Sequence, residues 1–340
     1  MINIAINGYG RIGRAIHRIA FLDKKINVVA INDVNPDINN IAYLLNYDST
    51  YGSLAEKAIV EGDYIKVANV KTKIFNSENI DEVPWENEKV DILIDSSGVA
   101  KNYKIALNLK GKVKHVIFTN SPSIDLVDKT IVFGVNNDQL NRDKDFLIAS
   151  SICDAVAFAP VAKLIDENYE IVKGFLTTLH PWLGYQNLLD GPSKSYAVPG
   201  NIIDNYALGR SSPMTLIPKS TSAISATYKV LPNLENKFLS MSYRVPTNII
   251  SSGDITIKVK KDINLESIIN CLERYQKNNP KIVYLNEEAL VSTDFEGDLT
   301  SVIIDKRFLK VEDNYIKMLT WYDNEMGYSA RVVDLISLLI

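Results

Sequence analysis

The first half of the chain alternates short apolar runs with helical patterns. The run Ile2–Ile6 is followed by a glycine-rich turn, by apolar residues at helical spacing between Ile12 and Ala20, and by a second run, Val28–Ile31. A strand, a turn, a helix and a strand within about 30 residues predict a βαβ unit of an α/β domain. Further strand-like runs lie at Tyr64–Val67, Thr72–Phe75, Val90–Asp95, His115–Phe118 and Thr130–Val135.

The pattern changes after Pro160, where longer alternating strands appear together with two helical stretches. This combination predicts a second, α+β domain with a mainly antiparallel sheet. An irregular segment, Pro181–Pro218, contains five prolines, and a connection of this length usually has a function of its own. The predicted strands are Tyr169–Leu179, Leu239–Arg244, Gly253–Lys260 and Thr300–Ile304, and the predicted helices are Thr221–Val230 and Leu265–Gln276.

Length and charge indicate the number of domains and exclude some classes of binding partner. A chain of 340 residues is too long for one ordinary core and suggests two domains. Its net charge of −4 and pI near 5.6 argue against binding to nucleic acid or to an anionic membrane. The N-terminal run resembles a first strand and not a signal peptide, and no apolar run approaches the length of a membrane span.

Cysteine and histidine usage points to a reducing compartment and to no metal centre. The two cysteines, Cys153 and Cys271, allow at most one disulfide, and nothing else suggests secretion, so a cytoplasmic location is expected. Cys271 falls on the apolar face of a predicted helix and is interpreted as a core residue. The scattered cysteines and histidines do not have the spacing of a zinc site.

Three glycines, Gly8, Gly10 and Gly13, lie between the first strand and the first helix. They allow a tight turn and let backbone N–H groups approach a pyrophosphate at the helix N-terminus. The second strand ends at Asp33, whose carboxylate can bind a ribose diol and would repel a 2′-phosphate. The pattern therefore predicts a dinucleotide site that prefers NAD to NADP. Small polar loops after later strands, including the one at Thr119, are expected to border the cofactor.

Cys153 is the strongest candidate for a nucleophile. It follows an apolar run, Phe146–Ile148, and precedes a helical pattern, which places it at a strand-to-helix junction. The helix N-terminus favours a thiolate, although a cysteine is also common as a small buried hydrophobe. His180 ends a predicted strand and is the best-placed base. With a nicotinamide cofactor, such a pair can oxidise an aldehyde through a thioester.

The chain resembles the glyceraldehyde-3-phosphate dehydrogenase family over nearly its whole length. The resemblance rests on seven motifs in the same order and spacing: Ile6–Arg14, Asn32-Asp33, Tyr47–Ser49, Gly134–Asn136, Thr177–His180, Arg244–Thr247 and Trp321–Tyr328. It implies a Rossmann NAD-binding domain over residues 1–152, a catalytic domain over 153–322, and a C-terminal helix within 323–340 that returns to the first domain. It also implies a glycolytic homotetramer whose subunits contribute the Pro181–Pro218 segment to neighbouring cofactor sites.

The resemblance also implies individual roles. Cys153 would be the nucleophile and His180 the base. Asn324 would hold the nicotinamide carboxamide, and Arg11-Ile12 would contact the pyrophosphate. Among the phosphate-site residues, Arg244 and Thr221 are retained, while Arg210 and Lys219 are candidates to replace lost ones.

The residues beside Cys153 depart from the family pattern. The family has hydroxyl side chains on both sides of the nucleophile, where they help to hold inorganic phosphate, and this chain has Ile152 and Asp154. A carboxylate about 4 Å from a phosphate would oppose its binding by roughly 4 kcal/mol at an effective dielectric of about 20. A carboxylate turned away would have little effect, and an Asp in the first turn of a helix is also simply stabilising.

Three functions are consistent with this sequence. The first is NAD-dependent oxidation of glyceraldehyde 3-phosphate, or a close phosphorylated aldehyde, with phosphate as the acyl acceptor. The second keeps this chemistry but uses another sugar aldehyde, such as erythrose 4-phosphate, or uses water as the acceptor. The third is a non-catalytic NAD-binding paralogue.

Overall fold

The fold is seen in a computed structural model that describes residues 1–339. The first part of the chain forms a nine-stranded sheet in the order β10-β11-β9-β8-β1-β2-β7-β6-β5. Its strands from β10 to β7 in this order run parallel, and β5 and β6 add an antiparallel edge. Two further strands, β3 and β4, form a separate two-stranded sheet. The strands of this part are β1 (Ile2–Asn7), β2 (Ile26–Asn32), β3 (Tyr47–Asp48), β4 (Gly52–Ser53), β5 (Ile59–Glu61), β6 (Tyr64–Val67), β7 (Val70–Phe75), β8 (Ile92–Asp95), β9 (His115–Phe118), β10 (Lys129–Thr130) and β11 (Leu147–Ala149), and the helices are α1 (Arg11–Ala20), α2 (Ile38–Asn46) and α3 (Asn102–Ile105).

The second part forms a seven-stranded sheet in the order β13-β14-β12-β15-β18-β17-β16. Four of its six neighbouring pairs are antiparallel, which confirms the mainly antiparallel sheet. Its elements are α4 (Cys153–Tyr169), β12 (Ile171–Pro181), β13 (Ile217–Lys219), α5 (Ala223–Tyr228), β14 (Phe238–Val245), β15 (Ser251–Val259), α6 (Leu265–Asn278), β16 (Val283–Asn286), β17 (Val302–Glu312), β18 (Tyr315–Tyr322) and α7 (Met326–Ile336).

The helix α4 connects the two parts and is buried on nearly all sides. Eleven of its seventeen residues are buried, and eight of these belong to one core that includes residues from both sheets. A helix that is apolar all round is typical of a protein interior. The helix α7 packs against both α1 and α4, so the end of the described chain lies on the first sheet's side. The domain boundaries at residues 152 and 322 stay predictions.

Two predicted elements differ from the structure. The run Thr130–Val135 continues as a strand only to Thr130, because the Asn136 side chain binds the backbone of Val132 and Thr130 and folds the segment into a turn. The helix α5 is shorter than the predicted Thr221–Val230, since Thr221 accepts the backbone N–H of Ala223 through its own hydroxyl and precedes the helix. Among residues 1–339, no helix is both long enough and apolar enough to cross a bilayer.

Candidate active site

Cys153 is the first residue of α4, at the junction that the apolar pattern predicts. Ser151 has a positive φ of 63° and Ile152 is extended, so the chain turns sharply out of β11 before the helix begins. Tyr328 of α7 fixes this turn by donating a hydrogen bond to the Ser151 carbonyl at 3.0 Å. The Cys153 side chain is consequently held at the helix N-terminus and stays partly exposed.

His180 faces Cys153 from the end of β12. Its Nε2 lies 3.6 Å from the Cys153 Sγ, and its Nδ1 lies 2.8 Å from the Pro181 carbonyl oxygen. A carbonyl can only accept a hydrogen bond, so Nδ1 carries the proton of the neutral ring. The lone pair of Nε2 therefore points at the sulfur, as a base for the thiol requires.

Asp154 is turned into the same site. Its Oδ1 accepts hydrogen bonds from the Tyr322 hydroxyl at 2.8 Å and from the Cys153 S–H at 3.6 Å. Its Oδ2 accepts one from the Thr221 hydroxyl at 3.4 Å. Asp154 is buried, so its carboxylate occupies the pocket and is not directed to solvent. Tyr322 belongs to the Trp321–Tyr328 motif, but the sequence indicated no role for it, because nothing in the motif's spacing shows that its hydroxyl reaches Asp154.

Burial and charge set the protonation of this cluster. Burial, and then the Asp154 carboxylate, raise the pKa of the Cys153 thiol well above its usual value, although Arg244 acts in the opposite sense. This direction differs from the expectation that the helix N-terminus would favour a thiolate. Burial, and then Arg244, lower the pKa of His180 to about 4, against the opposing effect of Asp154. The pair is thus a neutral thiol beside a neutral imidazole at neutral pH.

Arg244 provides a buried positive charge next to the pair. It pairs in register with His180 across β14 and β12, and one of its terminal nitrogens donates to the Tyr185 hydroxyl at 3.3 Å. Its Nε has no hydrogen-bond partner within residues 1–339. Because buried donors are normally paired, this nitrogen is available to an anionic ligand. Burial and the nearby Arg244 also lower the pKa of Lys219.

Thr221 and Arg210, the other predicted phosphate-site residues, are placed differently. Thr221 contacts Asp154 and belongs to the cluster. Arg210 is exposed and donates from Nε to Asp190 at 2.8 Å within the Pro181–Pro218 segment. Its guanidinium is therefore engaged by that segment in this structure.

The glycine-rich turn fits a dinucleotide. Gly8 has a φ of +83°, and a Cβ there would lie 2.5 Å from the Ser97 backbone. A Cβ at Gly13 would lie 2.4 Å from the Gly8 carbonyl oxygen, whereas one at Gly10 would meet nothing within 4 Å. Gly8 and Gly13 thus bring the turn close to the sheet, and Gly10 leaves room beside the α1 N-terminus for a phosphate group.

The remaining predicted cofactor residues follow strands of the two sheets. Asp33 follows β2 and accepts the Tyr9 N–H at 2.6 Å and the Asn35 N–H at 2.8 Å, which fixes its carboxylate. Thr119 follows β9 and donates to the Asp95 carbonyl at 3.3 Å. Asn324 is buried after β18, where its Oδ1 accepts from Ser251 at 3.4 Å.

Arg11 has a structural partner that the sequence did not indicate. Its guanidinium forms ion pairs with Asp48 and, at 2.6 Å, with Glu325. These contacts link α1 to the start of α7. The backbone N–H groups of Arg11 and Ile12 lie in the first turn of α1, where helix N–H groups have no intrahelical partner.

Comparison with known proteins agrees with this geometry. Residues 2–103 match the family model "Glyceraldehyde 3-phosphate dehydrogenase, NAD binding domain", and residues 152–324 match "Glyceraldehyde 3-phosphate dehydrogenase, C-terminal domain". The chain is 37% identical to glyceraldehyde-3-phosphate dehydrogenase 2 of Caenorhabditis briggsae, over 98% of this chain and 97% of the relative. It is 36% identical to glyceraldehyde-3-phosphate dehydrogenase of Eremothecium gossypii, over 99% and 98%. The chain therefore belongs to the glyceraldehyde-3-phosphate dehydrogenase family and is an NAD-dependent oxidoreductase of the α/β class with a Rossmann domain.

Proposed function

We propose that this protein acts in glycolysis and oxidises glyceraldehyde 3-phosphate, the aldehyde in the names of its relatives, through a thioester on Cys153, with phosphate as the acyl acceptor. The observation that carries the proposal is the 3.6 Å approach of the Cys153 sulfur to the unprotonated Nε2 of His180. A thiol needs such a base to act as a nucleophile at neutral pH. This pair also argues against a purely non-catalytic paralogue.

His180 and Cys153 divide the chemistry between them. His180 takes the thiol proton while the sulfur bonds to the aldehyde carbon, and it passes this proton to the former aldehyde oxygen, giving a hemithioacetal and leaving His180 neutral again. His180 then accepts the hydroxyl proton of this adduct as its carbon loses a hydride and becomes a thioester carbonyl. Bound NAD⁺ supplies the acceptor for that hydride. Attack by phosphate on the thioester breaks the carbon–sulfur bond and releases the acyl phosphate, and the Cys153 thiolate takes the proton back from His180.

Arg244 and Thr221 are proposed to bind the substrate phosphate, Thr221 after its hydroxyl has released Asp154. The Arg244 Nε is buried without a partner, and a phosphate oxygen would supply one. Arg210 would join them only after releasing Asp190. For the cofactor, we propose backbone contacts from Gly8, Gly10, Arg11, Ile12 and Gly13, the ribose at Asp33, and the nicotinamide end at Asn324 and Thr119.

A second candidate function, with water as the acyl acceptor, is favoured by the position of Asp154. Its carboxylate accepts hydrogen bonds from the hydroxyls of Tyr322 and Thr221, and these hydroxyls would otherwise be free to bind an anion. A fixed negative charge beside the sulfur opposes inorganic phosphate and can orient a water molecule. The two candidates differ in one measurable property, which is the dependence of turnover on phosphate.

The deciding experiment measures NADH formation from glyceraldehyde 3-phosphate with and without phosphate or arsenate. Turnover that requires either anion supports the first candidate, and equal turnover without them supports hydrolysis. Erythrose 4-phosphate in the same assay tests the alternative substrate. Cys153→Ser should reduce kcat by about a thousandfold or more, and His180→Asn should reduce it less. Cys271→Ala is the matched control and should leave kcat unchanged. Absence of NADH formation with every aldehyde would overturn both candidates.

The role of Arg244 can be separated from that of the catalytic pair. Arg244→Met should raise KM for glyceraldehyde 3-phosphate at least about tenfold, since a charge-assisted hydrogen bond contributes roughly 1.5–3 kcal/mol. KM for unphosphorylated glyceraldehyde should change little. Equal effects on both aldehydes would mean that Arg244 does not bind the phosphate.

A homotetramer in the cytoplasm is proposed for the whole protein. The outer face of the seven-stranded sheet exposes neighbouring apolar side chains on β12 and β14, including Phe175 and Leu239, which pair in register. Exposed apolar patches of this kind are typical of subunit interfaces. The free thiols of Cys153 and Cys271 are consistent with a reducing compartment.

A further inference from the structure

Cys153, Asp154 and His180 form a compact set of metal-ligating side chains. The Cys153 Sγ lies 3.6 Å from both the His180 Nε2 and the Asp154 Oδ1, and these last two atoms are 4.0 Å apart. No sequence spacing indicates this set, because His180 is brought in from another element. The catalytic chemistry proposed above uses Cys153 and His180 and assigns no metal to them.

Two of the three separations match those of a tetrahedral zinc site. Bond lengths of about 2.3 Å to sulfur and about 2.0 Å to nitrogen and oxygen require roughly 3.5 Å between sulfur and either lighter ligand, and roughly 3.3 Å between nitrogen and oxygen. The two sulfur distances already agree with this geometry. The nitrogen and oxygen atoms need to approach each other by several tenths of an ångström, which small side-chain rotations can supply.

The surrounding hydrogen bonds orient two of the three ligands. The Nδ1–H of His180 is directed at the Pro181 carbonyl, which leaves Nε2 unprotonated and facing the cluster. The Tyr322 and Thr221 hydroxyls both donate to Asp154 and hold its carboxylate in place. Metal sites in proteins use this kind of outer support to fix the histidine tautomer and the carboxylate orientation.

The ligand set selects for a borderline-soft divalent ion. A thiolate and an imidazole favour Zn²⁺ over Mg²⁺ or Ca²⁺, which prefer oxygen ligands. The thiolate and the Asp154 carboxylate together balance the charge of the ion, and the thiol proton is released to solvent on binding. The partly exposed Cys153 side chain gives the ion a path to the cluster and leaves a fourth position for water.

We propose that Zn²⁺ binds to Cys153, Asp154 and His180 and reversibly blocks this site. Asp154 is the distinguishing ligand, since a hydroxyl residue at this position, as in the resembled family, leaves only a sulfur and a nitrogen. The binding itself does not depend on the proposed aldehyde oxidation. The inhibition does, because the ion would occupy the sulfur and nitrogen lone pairs that the reaction needs.

The proposal is tested on the full chain after dialysis against a chelator. Competition with a chromophoric chelator should give one tightly bound Zn²⁺ per chain. Asp154→Asn should weaken binding at least about a hundredfold, and Cys271→Ala, which changes the only other thiol, should leave it unchanged. Co²⁺ should give a thiolate-to-metal absorption band with the wild-type protein and none with Cys153→Ser, in which the sulfur is absent.

Several outcomes would overturn the proposal. They are the absence of stoichiometric binding, equal affinity in wild type and Asp154→Asn, or a cobalt band that persists in Cys153→Ser. Unfolding midpoints measured with chelator present identify any variant that has lost its fold, and Asp154→Thr then replaces Asp154→Asn. Failure of zinc binding in an enzyme that still forms NADH would refute this inference alone, whereas zinc binding without NADH formation would refute the proposed activity alone.

Discussion

At the scale of single residues, Asp154 has the largest effect on the chemistry of the site. It accepts the S–H of Cys153 and, after burial, is the main reason that the pKa of this thiol is raised. The buried imidazole of His180 compensates in part, because it stays neutral and able to take the thiol proton. Reactivity of Cys153 is therefore set by its neighbours and not by the helix N-terminus alone.

Replacing Asp154 by Asn should make Cys153 more reactive. Loss of the negative charge lowers the pKa of the thiol, and one pKa unit corresponds to about tenfold more thiolate at neutral pH. We expect iodoacetamide to alkylate Cys153 roughly tenfold faster in Asp154→Asn than in wild type, as followed by mass spectrometry of the Cys153 peptide. Asp190→Asn, an exposed acid paired with Arg210, is the control. An unchanged or slower rate would contradict this account.

At the scale of elements, the glycine-rich turn before α1 contains one glycine that the packing requires, Gly13, and one that we expect only cofactor binding to require, Gly10. A Cβ at Gly13 would collide with the Gly8 carbonyl oxygen, whereas a Cβ at Gly10 enters open space. The two positions therefore make opposite predictions for the same substitution.

Gly10→Ala should keep the unfolding midpoint of the wild type but weaken NAD binding about tenfold or more, because the added methyl group occupies the space beside the helix N-terminus. Gly13→Ala should lower the unfolding midpoint even without NAD, since backbone must move to admit the Cβ. Calorimetric titration with NAD and thermal unfolding of both variants measure the two effects. Normal NAD affinity in Gly10→Ala would place the pyrophosphate elsewhere.

The helix α1 also contains a histidine that should make stability depend on pH. Burial lowers the pKa of His17 to about 3, and its Nε2 has no partner within residues 1–339. The unfolded chain binds a proton near the ordinary pKa of 6.5 and the folded chain does not, so stability is full above 6.5 and falls as the pH decreases toward 3.

Lowering the pH from about 7.5 to about 5 should reduce the free energy of unfolding by about 2 kcal/mol through His17. His17→Gln cannot take up this proton, so its urea midpoint should fall less than that of the wild type over the same interval. Asn39→Gln, on the exposed side of α2, should behave as the wild type. Identical pH dependence in wild type and His17→Gln would show that His17 is not the titrating group.

At the scale of the whole molecule, the two sheets have different surfaces. One face of the second sheet packs on α4, while its outer face exposes an apolar strip formed by Phe175, Leu179, Leu239 and Met241. An uncovered strip of this size on adjacent strands is expected to be buried between subunits.

Leu239→Glu should therefore reduce the mass of the assembly measured by light scattering, because a carboxylate cannot be buried without a partner. Leu22→Glu introduces the same charge at a leucine that is equally exposed but lies in the turn after α1, and it should leave the mass unchanged. Loss of assembly in both variants, or in neither, would exclude this strip as the interface.

The sequence by itself determined the fold class, the cofactor and the candidate nucleophile and base. Strand and helix periods, the spacing of Gly8, Gly10 and Gly13, and the position of Asp33 are local properties, so they can be read without coordinates. Only the tertiary structure decided that Asp154 faces the sulfur, that Tyr322 supports it, and that Arg11 pairs with Glu325. The contacts of Tyr322 and Arg11 join residues far apart in the chain. Asp154 is the neighbour of Cys153 in sequence, but the direction of its side chain depends on its packing neighbours. The raised pKa of Cys153 and the three-ligand cluster follow from that packing and not from any spacing along the chain.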